Sequence, residues 1–281
     1  MSFRIIQSKH NTRLKELRQS LAHPGRMVRN ELDGSNIMLV GIEGPNLLEE
    51  ALHAGLQVNC VFAAQGAEHL LDPLLLPPET EILLLPRELL NSALTTEAPQ
   101  PIAALVEAPA WGWPDLLKGN QKKAPLLVIL AGLQDPGNLG TVLRSAEAFG
   151  AQGVISLPGT VSAWNPKAVR ASAGSVFRLP LLTATPQEVF PQLRAMGVRI
   201  LTTAVHEAKP AQEEDLTGPI ALLIGNEGNG VPQEIANEAD AALTIPCPGP
   251  VESLNASVAA SILLYEASRQ RAAAQLLRRG K

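Results

Sequence analysis

The 281-residue chain has two cysteines, one tyrosine and 3% aromatic residues, and each scarcity removes a class of protein. Cys60 and Cys247 are too few for a disulfide framework and too far apart in sequence for a metal knuckle, so no metal site is expected. So few aromatic rings argue against an RNA-binding sheet that stacks bases on a Phe/Tyr platform. No stretch approaches the ~18 apolar residues that a bilayer span needs. The opening residues, MSFRIIQSKH, lack an apolar signal-peptide core between their charges. No membrane partner is expected, and the chain reads as cytoplasmic. Apolar material is not lacking: 46% of residues are hydrophobic and the mean hydropathy is +0.08. At roughly 150 residues per domain, the length suggests two domains.

A strong excess of positive charge is also absent. The net charge of −4 and a pI near 5.8 argue against a protein that coats nucleic acid nonspecifically. That average hides an asymmetry. Residues 1–30 carry +6, residues 266–281 carry +4, and the body between them carries −14. Clustered cations at chain ends are one way to hold a phosphate backbone, and solubility is another reason for them.

Ser8 and Asn11 precede Leu14, Leu17 and Leu21, which predicts a helix with one buried face and Arg13, Lys15 and Arg18 between the leucines. Strand-like runs follow at Asn36–Ile42, Val58–Ala63, Glu81–Leu85 and Ile102–Glu107, with helices opening at Gly44-Pro45 and after residue 63. This alternation implies an α/β domain over residues 1–107. Residues 108–124, rich in Pro, Gly, Trp and Lys, read as a linker. From residue 125 to the end, buried-strand runs at Leu126–Ala131, Gly153–Leu157, Val198–Val205, Ile220–Gly225 and Ala241–Pro246 alternate with helices from about Asn138, Pro166, Gln187, Val231 and Leu254. Continuous apolar strands with crossover helices predict a parallel sheet covered on both faces, whose ligands bind beyond the strands' carboxyl ends.

Three loops at such ends are unusual. After the first strand, Asp135-Pro136-Gly137-Asn138 opens a helix with Asn138 placed to start it. Leu139, Val142, Leu143, Ala146 and Phe149 share an arc of about 120°, with Arg144 nearly opposite its middle. The second loop, Gly225-Asn226-Glu227-Gly228-Asn229-Gly230, permits positive φ and close backbone approach. It matches neither the dinucleotide fingerprint nor a P-loop. The third, Ile245 to Ser257, is stiffened by prolines, with Ser253 as a natural N-cap and Leu254, Val258, Ile262 and Tyr265 as the buried stripe of a final helix. No His or Asp near Ser253 supports a hydrolase triad.

In this order, Asn-Leu-Gly-x-x-x-Arg, Gly-x-Glu-Gly-x-Gly and Ile-Pro…Ser-Leu-Asn-x-Ser-Val-Ala closely resemble the three motifs of the SpoU/TrmH family of RNA ribose 2′-O-methyltransferases, within the SPOUT superfamily, over roughly residues 124–271. Ser8-Lys9-His10-Asn11 and Glu43-Gly44 look like that family's smaller RNA-binding domain. The resemblance implies an α/β fold whose C-terminal parallel sheet is tied in a deep trefoil knot, homodimers formed through the last helix, and S-adenosylmethionine as cofactor. It implies cofactor contacts from Gly225, Glu227, Gly228, Gly230, Ile245 and Leu254. The catalytic set it implies is Asn138, Arg144, Glu227, Ser253 and Asn255, with Lys9, Arg13, Arg18 and Arg144 facing RNA. Cys247 stands where the third motif often has Met.

The chemistry suits these residues. A ribose hydroxyl must attack a sulfonium methyl in line while negative charge grows on its oxygen, so the protein must position and stabilise. The resemblance implies the arginine as a base, yet arginine ordinarily keeps its proton in proteins. Arg144 is therefore expected to bind the adjacent phosphate and the developing oxyanion, with the proton leaving through Asn138, Ser253 or water. A non-catalytic RNA-binding module of the same fold would have lost Arg144, Glu227 or Asn255. An NAD-type oxidoreductase would need the glycine spacing and ribose-binding acid that are missing here. Between RNA classes, the separate N-terminal domain favours rRNA of the 23S type over tRNA, by analogy.

Overall fold

A computed structural model describes residues 3–29, 35–117, 124–204, 208–250 and 253–279. They form two compact units: residues up to Ala110 with Ser162–Arg178, and Trp111–Val161 with the chain from Leu179 onward.

In the first unit, β1 (Phe3–Ile5) leads to α1 (Thr12–Ala22), β2 (Met27–Arg29), β3 (Asn36–Glu43), α2 (Pro45–His53), β4 (Val58–Ala64), β5 (Glu81–Leu85), α3 (Arg87–Asn91) and β6 (Ile102–Glu107). The sheet order is β1-β5-β4-β6-β3-β2; β1, β5 and β4 run parallel, and every other pairing is antiparallel. Asn11 caps α1 by accepting the Leu14 N–H at 3.2 Å, and Leu14, Leu17 and Leu21 are buried as their spacing requires. The helix comes close to β3 because position 41 is glycine: a Cβ there would lie 2.7 Å from Ser20 Oγ and 2.8 Å from Leu21. The helix expected after residue 63 is only a 3₁₀ turn at Glu68–Leu70. Pro73, Pro77 and Pro78 prevent anything longer.

The second unit opens with α4 (Trp113–Leu117), then β7 (Leu126–Leu130), α5 (Pro136–Ala148) and β8 (Gly153–Ser156). The helix α6 (Pro166–Ser172) belongs to the first unit. Then come β9 (Leu181–Thr183), α7 (Pro186–Ala195), β10 (Arg199–Thr203), β11 (Lys209–Pro210), β12 (Ile220–Ile224), α8 (Gln233–Ala236), β13 (Ala241–Thr244) and α9 (Ala256–Arg279). All pairings in the order β11-β13-β10-β12-β7-β8-β9 are parallel, as the apolar runs predict. Between the sheet and α7, Leu127, Ile129, Ile155, Val189, Phe190, Leu193, Ile200 and Leu223 form one core.

Two boundaries differ from the sequence reading. Part of the expected linker 108–124 is core: Leu116 is fully buried, and a Cβ at Gly153 would lie 2.1 Å from its side chain. Residues 118–123 of that segment lie outside the described residues. Residues 162–178, expected in the C-terminal domain, belong to the first unit. There Trp164 stacks on Phe177 with centroids 6.5 Å apart, and Arg178 ion-pairs with Glu50. These partners are remote in sequence, so no local pattern announces them.

The last helix also departs from expectation. Its buried face is Ala256, Ser257, Ala260, Leu263, Leu264 and Ala267. Val258, Ile262 and Tyr265, expected to be buried, are 45%, 38% and 55% exposed. Arg271, one of the basic C-terminal residues, is held inside the unit by the carbonyls of Ala124 (2.6 Å), Pro125 (3.0 Å), Leu216 (3.0 Å) and Gly218 (2.6 Å). Burial lowers its pKa. Arg269 is engaged by Glu266 at 2.8 Å, so that end presents less free positive charge than its composition suggests.

Candidate active site

The strand order places the site. From β7 the chain moves through α5 to β8 on one side, and from its neighbour β12 it moves through α8 to β13 on the other. Where successive connections diverge, a crevice opens beyond the strands' carboxyl ends. The loops after β7 and β12 flank that crevice, and the third motif follows β13, two strands away.

Asn226 builds the glycine loop. Its backbone pairs with that of Gly230 at 2.8 and 3.0 Å, its Oδ1 accepts the N–H groups of Gly228 (2.8 Å) and Asn229 (3.3 Å), and its Nδ2 donates to the Gly132 carbonyl at 2.8 Å. A Cβ at Gly225 would lie 2.1 Å from the Gly230 carbonyl carbon and 2.3 Å from the Val231 nitrogen, so no larger residue fits. Gly230 adopts φ +66°, which closes the turn.

Glu227 reaches from this loop to the next. Its carboxylate accepts Asn138 Nδ2 at 2.9 Å, the Asp135 N–H at 3.1 Å and the Gln134 N–H at 3.3 Å. Desolvation acts to raise its pKa, but the hydrogen bonds from Asn138 and from backbone N–H groups outweigh it and leave the carboxyl below the ordinary range. Glu227 is therefore an anchored carboxylate, not a base poised near neutrality.

Asn138 continues the chain of contacts. Its Oδ1 accepts Asn255 Nδ2 at 3.0 Å and lies 3.2 Å from Ser257 Oγ, whose single proton has a shorter contact with Asn255 Oδ1 at 2.7 Å. One carboxamide thus ties all three loops together. Both caps differ from expectation. Asp135, not Asn138, caps α5 by accepting the Asn138 N–H at 2.8 Å. Asn255, not Ser253, holds the start of α9 by accepting the Ser257 and Val258 N–H groups at 2.9 and 3.3 Å. In each case an oxygen two or three positions before a free helical N–H wins.

Asn138, Glu227 and Asn255 are thus brought into one network, which Arg144 and Ser253 do not join. Arg144 is exposed on α5, about 9 Å along the axis from Asn138, and no hydrogen bond or ion pair holds it among the described residues. Ser253 is exposed and Leu254 half-buried; Val251 and Glu252, before them in the loop, lie outside the described residues. Ile245 is half-buried, and Gly228 is exposed. Of the expected RNA-facing residues, Lys9 is exposed and Arg18 half-buried, while Arg13 is engaged by Glu16 at 2.9 Å and Glu81 at 3.3 Å. Motif reading missed Asp135, Asn226 and Ser257. An Asp before Pro at a helix start, and an Asn or Ser two residues from a backbone donor, were the available signals.

Fixed dipoles, one anchored carboxylate and one unengaged guanidinium suit positioning and charge stabilisation. Fold and crevice together define a parallel-sheet α/β protein whose ligand site is a glycine loop braced by a polar network. The model of the SpoU rRNA Methylase family matches residues 125–265, and the chain belongs to that family. It is 34% identical over 224 residues to the 23S rRNA (guanosine(2553)-2′-O)-methyltransferase RlmP of Bacillus subtilis, covering 80% of this chain and 86% of the relative. A 23S rRNA (uridine(2479)-2′-O)-methyltransferase of Streptomyces viridochromogenes is 36% identical over 68% of each chain. The crystal structure of the SpoU methyltransferase AviRb from S. viridochromogenes in complex with AdoMet superposes with a TM-score of 0.77 at 30% identity, covering 94% of this chain and 99% of that one.

Proposed function

We infer that this chain is an S-adenosylmethionine-dependent methyltransferase acting on a ribose 2′-hydroxyl of 23S-type rRNA. The observation that carries the reading is the Glu227–Asn138–Asn255 network, which joins the three motif loops of a SpoU-family chain at the switch-point crevice. The chemistry suits such a cofactor: the half-buried Ile245 and Leu254 offer apolar surface. Gly225, Glu227, Gly228, Gly230, Ile245 and Leu254 would hold it. When bound, S-adenosylmethionine supplies an electrophilic sulfonium methyl.

Arg144 holds the phosphate beside the target ribose and stabilises the oxygen as it becomes anionic. Asn138 is not the exit for the hydroxyl proton, because its Oδ1 already accepts from Asn255 and its Nδ2 already donates to Glu227. The proton leaves through Ser253 Oγ or directly to water. Asn138 and Glu227 act by fixing the loops.

The enzyme works in the cytoplasm as a homodimer through the second unit, the exposed Val258, Ile262 and Tyr265 being the surface that the partner covers. The C-terminal part of the second unit is tied in a trefoil knot, which is carried over from the family resemblance. The first unit holds the RNA and the second carries the transfer.

Calorimetry with S-adenosylmethionine, followed by mass spectrometry of nucleosides from unmodified 23S rRNA treated with enzyme and cofactor, tests the reading. Cofactor binding and a 2′-O-methylnucleoside are expected; a base-methylated product, or cofactor binding without transfer, would overturn it.

A further inference from the structure

Among the described residues no hydrogen bond or ion pair holds the Arg144 side chain, so its place is set by α5. We propose that its chain neighbour Ser145, paired with Ser261 on α9, is a positioning residue that fixes the rotation of α5 and with it the Arg144 guanidinium. The inference rests on the proposed methyl transfer and adds to it a residue outside the catalytic set.

The hydroxyls form a directed chain. Ser145 Oγ and Ser261 Oγ lie 2.7 Å apart, and Ser261 Oγ lies 2.7 Å from the Ser257 carbonyl oxygen. A carbonyl can only accept, and Ser261 has one hydroxyl proton, so Ser261 donates to Ser257 and Ser145 donates to Ser261. Ser257 Oγ donates in turn to Asn255 Oδ1 at 2.7 Å, and Asn255 Nδ2 to Asn138 Oδ1 at 3.0 Å. The contacts thus leave α5 at Ser145, run back along α9 and return to α5 at Asn138, closing a ring.

The ring pins α5 at two points on one side. Asn138 and Ser145 are seven residues apart, within about 20° of two full turns and about 10 Å along the axis. Arg144 precedes Ser145 by one residue and so projects about 100° around the helix from the pinned side. Beyond Ser145, Phe149 meets Tyr265 edge-on with centroids 5.7 Å apart, so α5 and α9 run side by side in the same direction.

Adhesion alone does not call for these hydroxyls. Leu139, Val142, Leu143 and Ala146 already bury one face of α5, and replacing both partners of a hydrogen bond by apolar groups is nearly neutral for stability. Apolar contact has no fixed direction, whereas a hydrogen bond has one, and a satisfied polar network selects a single packing. The difference matters at Arg144. A helix surface lies about 5–6 Å from the axis, so a turn of about 10° carries an exposed side chain by about 1 Å. A misplacement of about 1 Å can cost a hundred-fold in rate.

The test uses the full chain with S-adenosylmethionine. The double variant Ser145→Ala/Ser261→Ala removes both hydroxyls together. It should keep Tm within about 3 °C and KM for unmodified 23S rRNA within about three-fold, while kcat falls about ten-fold. In an Arg144→Lys background the same two substitutions should lower kcat by less than about two-fold, because the group they position is already gone. The Arg144 Nε–H signal in NMR, assigned by its loss in Arg144→Lys, should shift in the double variant. Wild-type kcat in the double variant, equal losses in both backgrounds, a Tm lowered by about 10 °C or an unmoved Arg144 signal would each overturn the proposal. Failure of the unaltered enzyme to methylate rRNA would instead overturn the function on which it rests, and the Arg144 signal would still decide whether the hydroxyl pair places that side chain.

Discussion

Asn138→Asp tests the network most sharply, because it changes charge with almost no change of shape. The substitution puts a carboxylate oxygen where Nδ2 lies 2.9 Å from Glu227 Oε1. Two unit charges about 4 Å apart repel by about 1 kcal/mol in water and about 4 kcal/mol at an effective dielectric of 20. Glu227 is exposed on one side, which places the repulsion near 2 kcal/mol, on the order of the lower half of that range. Losing the donated hydrogen bond adds about 1 kcal/mol. Loops uncoupled by about 3 kcal/mol should lower kcat/KM by about 150-fold.

The pH dependence follows from the sign. In the native protein the Glu227 pKa is lowered, so its contribution is complete above the ordinary carboxylate value of about 4.3 and is lost as pH falls through the lower folded value. In the variant two facing carboxylates share one site, and the first proton binds at higher pH. A protonated Asp donates to Glu227 again. Relative activity should therefore recover as pH falls from about 8 toward about 5. Initial rates of labelled-methyl transfer into 23S rRNA across that range, with cofactor affinity from calorimetry, measure both. A variant within about three-fold of wild type near pH 8, or profiles that run parallel, would refute the positioning role.

Other outcomes follow from the same geometry. Arg144→Lys should keep cofactor affinity and lose at least about ten-fold in kcat, since an ammonium cannot engage phosphate and oxyanion together; full turnover would remove any guanidinium role. Arg271→Ala strips a donor from four carbonyls, should cost about 3 kcal/mol, and should lower Tm by about 10 °C with little effect on RNA affinity. Ile262→Glu should yield monomers in sedimentation if the exposed stripe of α9 is the dimer surface; an unchanged mass would place that surface elsewhere. Gly225→Ala should abolish cofactor binding by displacing the Gly230–Val231 backbone, and calorimetry would show it.

Local pattern made much of the fold legible. The spacing of Leu14, Leu17 and Leu21 and the cap at Asn11 define α1, and β5 and β6 begin and end where their apolar runs do. The short edge strands β1, β2, β9 and β11 were not legible, because two or three residues carry no period. Val258, Ile262 and Tyr265 share a helical face, but periodicity reports which residues align and not what covers them. Arg271 counted as surface charge in the sequence and proved to be an internal tie. Motif resemblance named Asn138, Glu227 and Asn255, yet their contacts join positions about 90 to 120 apart in the chain, which no local rule supplies. Helix caps failed at Asn138 and Ser253 because Asp135 and Asn255, equally good capping residues, stood within three positions of them.

The central claim is that one ribose hydroxyl of 23S-type rRNA receives the methyl group. The most direct measurement maps 2′-O-methylation across 23S rRNA from cells with and without the gene, and from cells carrying only the Asn138→Asp form. One 23S ribose should lose its methyl group without the gene and stay largely unmethylated with the variant. An unchanged 23S map, or a methyl lost from tRNA instead, would contradict the account.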